Sequence, residues 1–314
     1  MTRFVFLLLC FSADMRLLTA KTKTEGNIFS KASYGPQINP GKSSSQETVK
    51  SVFAAPEEPH GVENVSSQSV QQKATDASRK FSPHRWPLPL SLFPNSVDDM
   101  YYGCSNKMLI KVKRDYLPKS TREGFQSTRT KLCAFGAMQS RDPYDPLSWD
   151  HFRALCAYTA GAYDSLNHAV REGKASYNIS FQFHALHFFL SDAIRLLKLN
   201  QRTCYTVVRR SRRLFVGEPG QTIRFGSFAS SSLNKKLFNF GRTTCFEIRT
   251  CFGAYLKSYS DFGADEDEVL IPPYEMFRIT SVDESGRNPL ECEVLYTLET
   301  AGIYSTLNCQ AVDL

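Results

Sequence analysis

Asp265-Glu266-Asp267-Glu268-Val269-Leu270-Ile271-Pro272-Pro273 is the stretch on which the chain turns. Four consecutive acids run into a compact apolar segment closed by two prolines, in a protein whose formal net charge is +7. Val269, Leu270 and Ile271 predict a strand, and the prolines end it or confine it to an edge. Side chains alternate along a strand, so Glu266 and Glu268 are expected on one side at its entrance, with Asp265 and Asp267 left to solvent. Two carboxylates held together are costly unless a cation or a function occupies them. Taken alone, an acidic run is usually a solvated loop, so its neighbours must decide.

Outward from this stretch, the apolar period is two from Arg202 onward. Residues 203–208, 222–229, 244–251, 269–271, 276–282 and 290–298 are expected as strands. In the third of these, Phe246 and Ile248 share one face, with Cys245, Glu247 and Arg249 on the other. Between residues 98 and 200 the period is helical. Ser148 is placed to cap a helix in which Phe152, Leu155, Cys156 and Thr159 line one side, and Leu166, Ala169 and Val170 continue the pattern. Phe183, Leu186, Leu190, Ile194 and Leu197 mark a long amphipathic helix, widened by Phe188 and Phe189. His184 and His187 lie on it without Asp, Glu or Cys at ligand spacing, so they are expected as core or surface histidines. Helices first and strands later predict an α+β fold, an N-terminal helical half followed by a β-rich half.

The 314 residues, 42% of them hydrophobic, suffice for one sizeable core plus accessories. Lys and Arg exceed Asp and Glu by only 38 to 31 and are dispersed, which suits an anionic ligand and falls short of a nucleic-acid signature. Met1-Thr2-Arg3 followed by apolar Phe4 to Phe11 reads as a signal peptide over residues 1–20, with cleavage after Ala13 or Ala20. No other segment is apolar enough to span a bilayer, and Asn308 to Leu314 lacks the tail of a lipid anchor. The expected product is secreted, extracellular and without a membrane anchor. Residues 21–95, rich in Ser, Gln, Lys, Thr and Pro, are expected to be disordered or a propeptide, leaving a globular domain over 96–314. Without Cys10, eight of the nine cysteines remain, an even number that points to disulfides. No C-x-x-C spacing occurs, so no metal site is expected. Asn64-Val65-Ser66 and Asn178-Ile179-Ser180 are glycosylation sequons.

Three segments of the β half carry chemistry-bearing side chains. The first is Cys204-Tyr205-Thr206-Val207-Val208-Arg209-Arg210-Ser211-Arg212-Arg213, whose basic end is similar to a dibasic processing site yet falls at a strand end. The second is Arg224 to Asn234, containing Phe228-Ala229-Ser230-Ser231-Ser232, and the third is the acidic stretch. In this order they resemble the R-S-E pattern of the vertebrate secreted and surface-anchored mono-ADP-ribosyltransferases, arginine-specific branch. The matching segments are Val207-Val208-Arg209-Arg210, Phe228 to Ser232, and Glu266-Asp267-Glu268 with Val269 to Pro273. The resemblance runs from Asp98-Asp99-Met100-Tyr101-Tyr102-Gly103-Cys104 to Asn308-Cys309, and takes in Ala157-Tyr158-Thr159, Ala169-Val170-Arg171-Glu172 and Phe181 to Leu190.

The resemblance implies an enzyme that breaks the nicotinamide–ribose bond of NAD, or NADP, and passes ADP-ribose to the arginines of target proteins. NAD is then a co-substrate and no metal is required. It implies that Glu268 stabilises the oxocarbenium-like transition state and contacts a ribose hydroxyl. Glu266 would hold the incoming guanidinium and take its proton. Arg209 would grip NAD phosphate or ribose, Ser230 would orient Glu268, and Phe262 would touch the target protein. The family pattern has Tyr-Arg-Gly where this chain has Val208-Arg209-Arg210. The glycine offers backbone groups to the nicotinamide amide, and Arg210 keeps them only where φ need not be positive. The resemblance also pairs Cys104 with Cys309 and Cys204 with Cys251. Cys133, Cys156, Cys245 and Cys292 stay open, the pairings Cys133–Cys156 and Cys245–Cys292 being those that keep the two halves separate. Two further functions share the scaffold: NAD glycohydrolysis, and a catalytically inactive binding module. A monomer without nucleic-acid partners is expected.

Overall fold

In the computed structural model, which describes residues 86–312, regular structure starts before residue 96. Strand β1 (Leu88–Pro89) pairs in parallel with β3 (Phe215–Val216), and Leu90 is buried behind it. Prolines 87, 89 and 94 disguise this edge strand in the sequence, since an edge can spare the missing N–H. The expected signal peptide, the Asn64 sequon and residues 21–85 lie outside the described residues.

The helical half comprises α1 (Ser105–Lys111), α2 (Thr128–Gln139), α3 (Trp149–Ala157), α4 (Tyr163–Glu172) and α5 (His184–Asn200). Ser148 does stand at the start of α3, where its N–H donates to His151 Nδ1 at 2.9 Å. A histidine thus takes the place that Glu or Gln holds in the usual capping box. Along α5, Leu186, Phe188, Phe189, Leu190 and Leu197 are wholly buried. His187 is buried too, its Nε2 3.1 Å from Val97 O and its Nδ1 2.8 Å from Tyr101 Oη. Burial pushes His184 down to about 4 and His187 to about 3, so both are neutral core residues.

The remaining strands are β2 (Tyr205–Ser211), β4 (Thr222–Ile223), β5 (Ala229–Ser232), β6 (Thr244–Thr250), β7 (Ala254–Tyr255), β8 (Glu268–Ile271), β9 (Glu275–Asp283) and β10 (Val294–Ile303). They form one eight-stranded sheet in the order β4-β9-β10-β6-β2-β5-β8-β7, antiparallel except between β10 and β6. One apolar cluster joins the helices to Phe228, Leu256 and Leu270, and a second gathers Val207, Phe246, Ile248, Val269, Ile271 and Phe277.

Two expected strands need correction. Residues 222–229 divide into β4 at the sheet edge and β5 near its centre. Between them, Arg224 turns inward to Asp98 at 2.7 Å with neither side chain exposed, and Gly226 takes φ +68 against the Phe93 ring. The strand expected at 290–298 starts instead at Val294, because Leu290 and Cys292 are folded in a turn held by Asn288, whose Nδ2 donates to Cys292 O at 2.7 Å. Disulfides join Cys104 to Cys309, Cys133 to Cys156, Cys204 to Cys251 and Cys245 to Cys292. The third spans 47 residues across the paired strands β2 and β6, a loop whose closure is worth about 4 kcal/mol in the chain-entropy picture. Among the described residues no helix is long and apolar enough to cross a membrane.

Candidate active site

Three neighbouring strands bring the three motifs together. Strands β2 and β5 share a single register pair, Val208 with Ser232, whereas β2 and β6 share a long ladder. In turn β5 pairs with β8, setting Ser230 opposite Leu270 and Ser232 opposite Glu268. Where β2 and β5 are so sparsely joined lies a cavity of about 430 Å³, lined by Arg209, Ser230, Glu266 and Glu268 among others.

Glu268, the first residue of β8, is buried and its carboxyl is pushed up to about 7. Burial is the main cause and Glu266 adds to it, while a hydrogen bond from Ser230 and the charge of Arg209 oppose it. Arg209 Nη1 donates to Ser230 O at 2.5 Å, and the guanidinium stands 5.8 Å from the centre of the Phe225 ring. Burial lowers the Arg209 pKa, yet a guanidinium remains charged. The arrangement places a fixed cation, a hydroxyl and a carboxyl near its ionisation point around one cavity, the components needed to bind an anionic ligand and stabilise a developing positive charge.

Glu266 also lines the cavity, though strand alternation is not the reason. Strand β8 begins at Glu268, and Glu266 sits in the preceding turn, where Asp267 has φ +45. The turn is fixed by Ser232 Oγ donating to Glu266 O at 2.5 Å and Leu233 N donating to Asp267 O at 3.1 Å. Asp265 is exposed as expected, but Asp267 accepts a hydrogen bond from Tyr255 Oη at 3.1 Å rather than facing solvent freely. Partial burial and Asp265 raise the Glu266 pKa. Phe262 is 46% exposed at the cavity rim. The loop carrying it is anchored by Lys257 Nζ, 2.8 Å from Asp142 and 2.7 Å from Asp145, and by Asp261 N donating to Thr159 Oγ1 at 2.8 Å.

Arg210 lies in regular strand opposite Cys245, so no positive φ is required. It borders the cavity, but its guanidinium is directed to Lys235 O and Leu290 O and is buried there.

Tyr158 and Asn167 were not given a role by the sequence. Both line the cavity, and Tyr158 Oη accepts from Asn167 Nδ2 at 3.2 Å and from Ser230 Oγ at 3.4 Å. Burial raises the Tyr158 pKa. The available signal is Gly161, which at φ +135 breaks the helix into a widened π-type turn, Tyr158–Ala162, of the kind enriched at functional sites. Tyr163 and Asn167 then follow one turn apart on α4. Among the described residues no group of His, Cys, Asp and Glu is arranged to hold a metal ion.

Comparison with known proteins matches residues 90–291 to the family model "NAD:arginine ADP-ribosyltransferase". NAD(P)(+)–arginine ADP-ribosyltransferase 2 of Gallus gallus is 36% identical over 233 residues, 70% of this chain and 72% of that protein. The GPI-linked NAD(P)(+)–arginine ADP-ribosyltransferase 1 of Mus musculus is 35% identical over 248 residues, 71% of this chain and 73% of that one. Among solved structures, the crystal structure of the eukaryotic mono-ADP-ribosyltransferase ART2.2 is similar with a TM-score of 0.59 at 33% identity, covering 71% of this chain and 99% of that chain. A variant of ART2.2 solved in complex with NAD is similar with a TM-score of 0.57, over the same shares of the two chains.

Proposed function

Because the chain belongs to the NAD:arginine ADP-ribosyltransferase family, we propose that it transfers ADP-ribose from NAD to the guanidinium of protein arginines and releases nicotinamide. The observation that carries this is the meeting of Arg209, Ser230, Glu266 and Glu268 around one cavity. Arg209 binds the anionic portion of NAD, its planar fork matching phosphate or ribose oxygens. As the ribose–nicotinamide bond breaks, its electron pair goes to the nicotinamide nitrogen and positive charge develops on the ribose. Ionised Glu268, held by Ser230, stabilises that charge and contacts a ribose hydroxyl. Glu266 orients the acceptor guanidinium, whose nitrogen forms the new bond to the ribose carbon while Glu266 takes its proton. Phe262, exposed beside Glu266, receives the target protein. NAD is consumed as co-substrate.

Several relatives are ecto or GPI-linked enzymes by name. Together with the apolar N-terminal segment, this supports secretion to the extracellular space, with cleavage of residues 1–20 and a catalytic domain that includes β1. The assay is incubation of the full secreted chain with labelled NAD and an arginine-rich protein. Label is incorporated by the wild type and lost with Glu268→Ala. Incorporation undiminished in that variant rules out the role given to Glu268.

A further inference from the structure

The basic run at the end of β2 contains more than the one arginine used on NAD. Residues 233–240, between β5 and the start of β6, supply Asn234, Leu237, Asn239 and Phe240 to the cavity wall. None of the side chains in this loop is buried, and its only regular structure is the short turn Phe238–Phe240. Such a segment has little apolar contact to hold it in one place. Leu233 N donates to Asp267 O at 3.1 Å and Lys235 Nζ pairs with Glu247 at 2.9 Å on the surface, and the remaining tethers are arginines. Arg210 donates to Lys235 O through Nε at 3.2 Å and Nη2 at 2.5 Å, and its guanidinium lies 4.5 Å from the centre of the Phe238 ring. Arg242 stands 4.1 Å from the same ring, and Arg212 Nη2 donates to Asn239 O at 2.8 Å.

Arg210 differs from the other two because its far end is fixed in the core. Its Nη1 donates to Leu290 O at 3.1 Å and rests 3.3 Å from Cys292 Sγ and 3.5 Å from Cys245 Sγ, atoms of the buried Cys245–Cys292 disulfide. One planar group therefore bridges the buried turn at Leu290 and the cavity loop. Lysine, a point charge without a fork or a stacking face, has no equivalent geometry.

We propose that Arg210 is a positioning residue for the NAD cavity, clamping the 233–240 loop against the Leu290 turn so that the cavity wall is already in place when NAD arrives. The role rests on the NAD-transfer function. Apparent affinity scales with the fraction of molecules in the competent arrangement. If loss of the clamp leaves the loop in place about a tenth of the time, KM for NAD rises about tenfold. Glu266 and Phe262 lie on a different loop, joined to this one at its first residue by Leu233 N donating to Asp267 O, so the acceptor side changes less than the NAD side.

The test compares wild type, Arg210→Met, Arg210→Lys and Phe238→Leu in nicotinamide release with a small guanidine acceptor, alongside hydrogen exchange of the intact protein. The Met variant is expected to raise KM for NAD about tenfold, with kcat, acceptor KM and the pH profile of kcat little changed, and with faster exchange confined to residues 233–240. The Lys variant recovers part of the loss. Phe238→Leu, which removes the stacked ring without touching the core, raises KM about threefold. An unchanged NAD KM in both Met and Leu variants overturns the proposal, as does a fall in kcat with unchanged NAD KM. If Arg210→Met loses protection across α5 as well, Phe238→Leu decides alone by the same criterion. Wild-type protein that releases no nicotinamide refutes the transferase function instead. The exchange result then judges the clamp by itself, unaltered exchange at 233–240 in Arg210→Met overturning it.

Discussion

Glu268→Gln is expected to make the protein more stable while removing its activity. The carboxyl is buried, and its folded pKa of about 7 lies above the ordinary glutamate value of 4.5. A raised carboxylate pKa means that the folded state binds the proton more tightly than the unfolded one. The two states are matched below pH 4.5, stability falls as pH rises towards 7, and the full penalty applies above that. A separation of this size corresponds to about 3 kcal/mol at pH 8, at about 1.4 kcal/mol per unit. Glutamine keeps the shape and can still pair with Ser230, but carries no charge to desolvate. In a domain of this size the gain raises Tm by roughly 6 to 12 °C at pH 8, and most of it is gone by pH 4.5. Paired thermal melts of wild type and Glu268→Gln at pH 4.5, 6, 7 and 8 measure it directly. Equal melting at pH 8, or a difference that does not vary with pH, refutes the claim that burial has stored an unfavourable charge at this position.

The same ionisation governs catalysis: kcat/KM for NAD should rise tenfold per pH unit below about 7 and level off above it, and a profile flat from pH 5 to 8 contradicts the need for ionised Glu268. Asp98→Ala leaves the buried Arg224 charge without its carboxylate, though still donating to the carbonyls of Leu92, Phe93 and Tyr304, at the junction of the helical half with the C-terminal segment, so denaturant unfolding should show a loss of about 3–5 kcal/mol. Tyr255→Phe removes the hydroxyl that holds Asp267 in its left-handed turn. Acceptor KM should then rise several-fold with NAD KM unchanged, and a matched rise in both places the effect elsewhere.

The division into helices and strands was legible because both halves keep clean periods: Leu186, Leu190, Ile194 and Leu197 mark α5, and Phe246 and Ile248 mark the inward face of β6. The cluster of Arg209, Ser230 and Glu268 was legible only through the order of three motifs, since nothing local says that β2, β5 and β8 are neighbours. Glu266 reaches the cavity for a reason that periodicity misjudged, a left-handed residue at Asp267 rather than strand alternation. The parts that escaped depend on long-range contacts. Prolines concealed β1, whose partner lies more than a hundred residues away. Arg224 leaving its strand for Asp98 divided what alternation presented as one strand. Tyr158 and Asn167 stand on either side of the widened helical turn at Gly161, and the carbonyl partners of Arg210, at Lys235 and Leu290, lie 25 and 80 residues away in the sequence.

The division of labour between the two glutamates is tested most directly by the ratio of ADP-ribosyl-guanidine formed to nicotinamide released in the Glu266→Ala protein, with labelled NAD and saturating acceptor. Glu268 remains in place in this variant, so nicotinamide should still be released and water should take the ribose. The adduct should fall at least about a hundredfold relative to nicotinamide. A ratio unchanged from wild type contradicts the assignment of Glu266 to the acceptor.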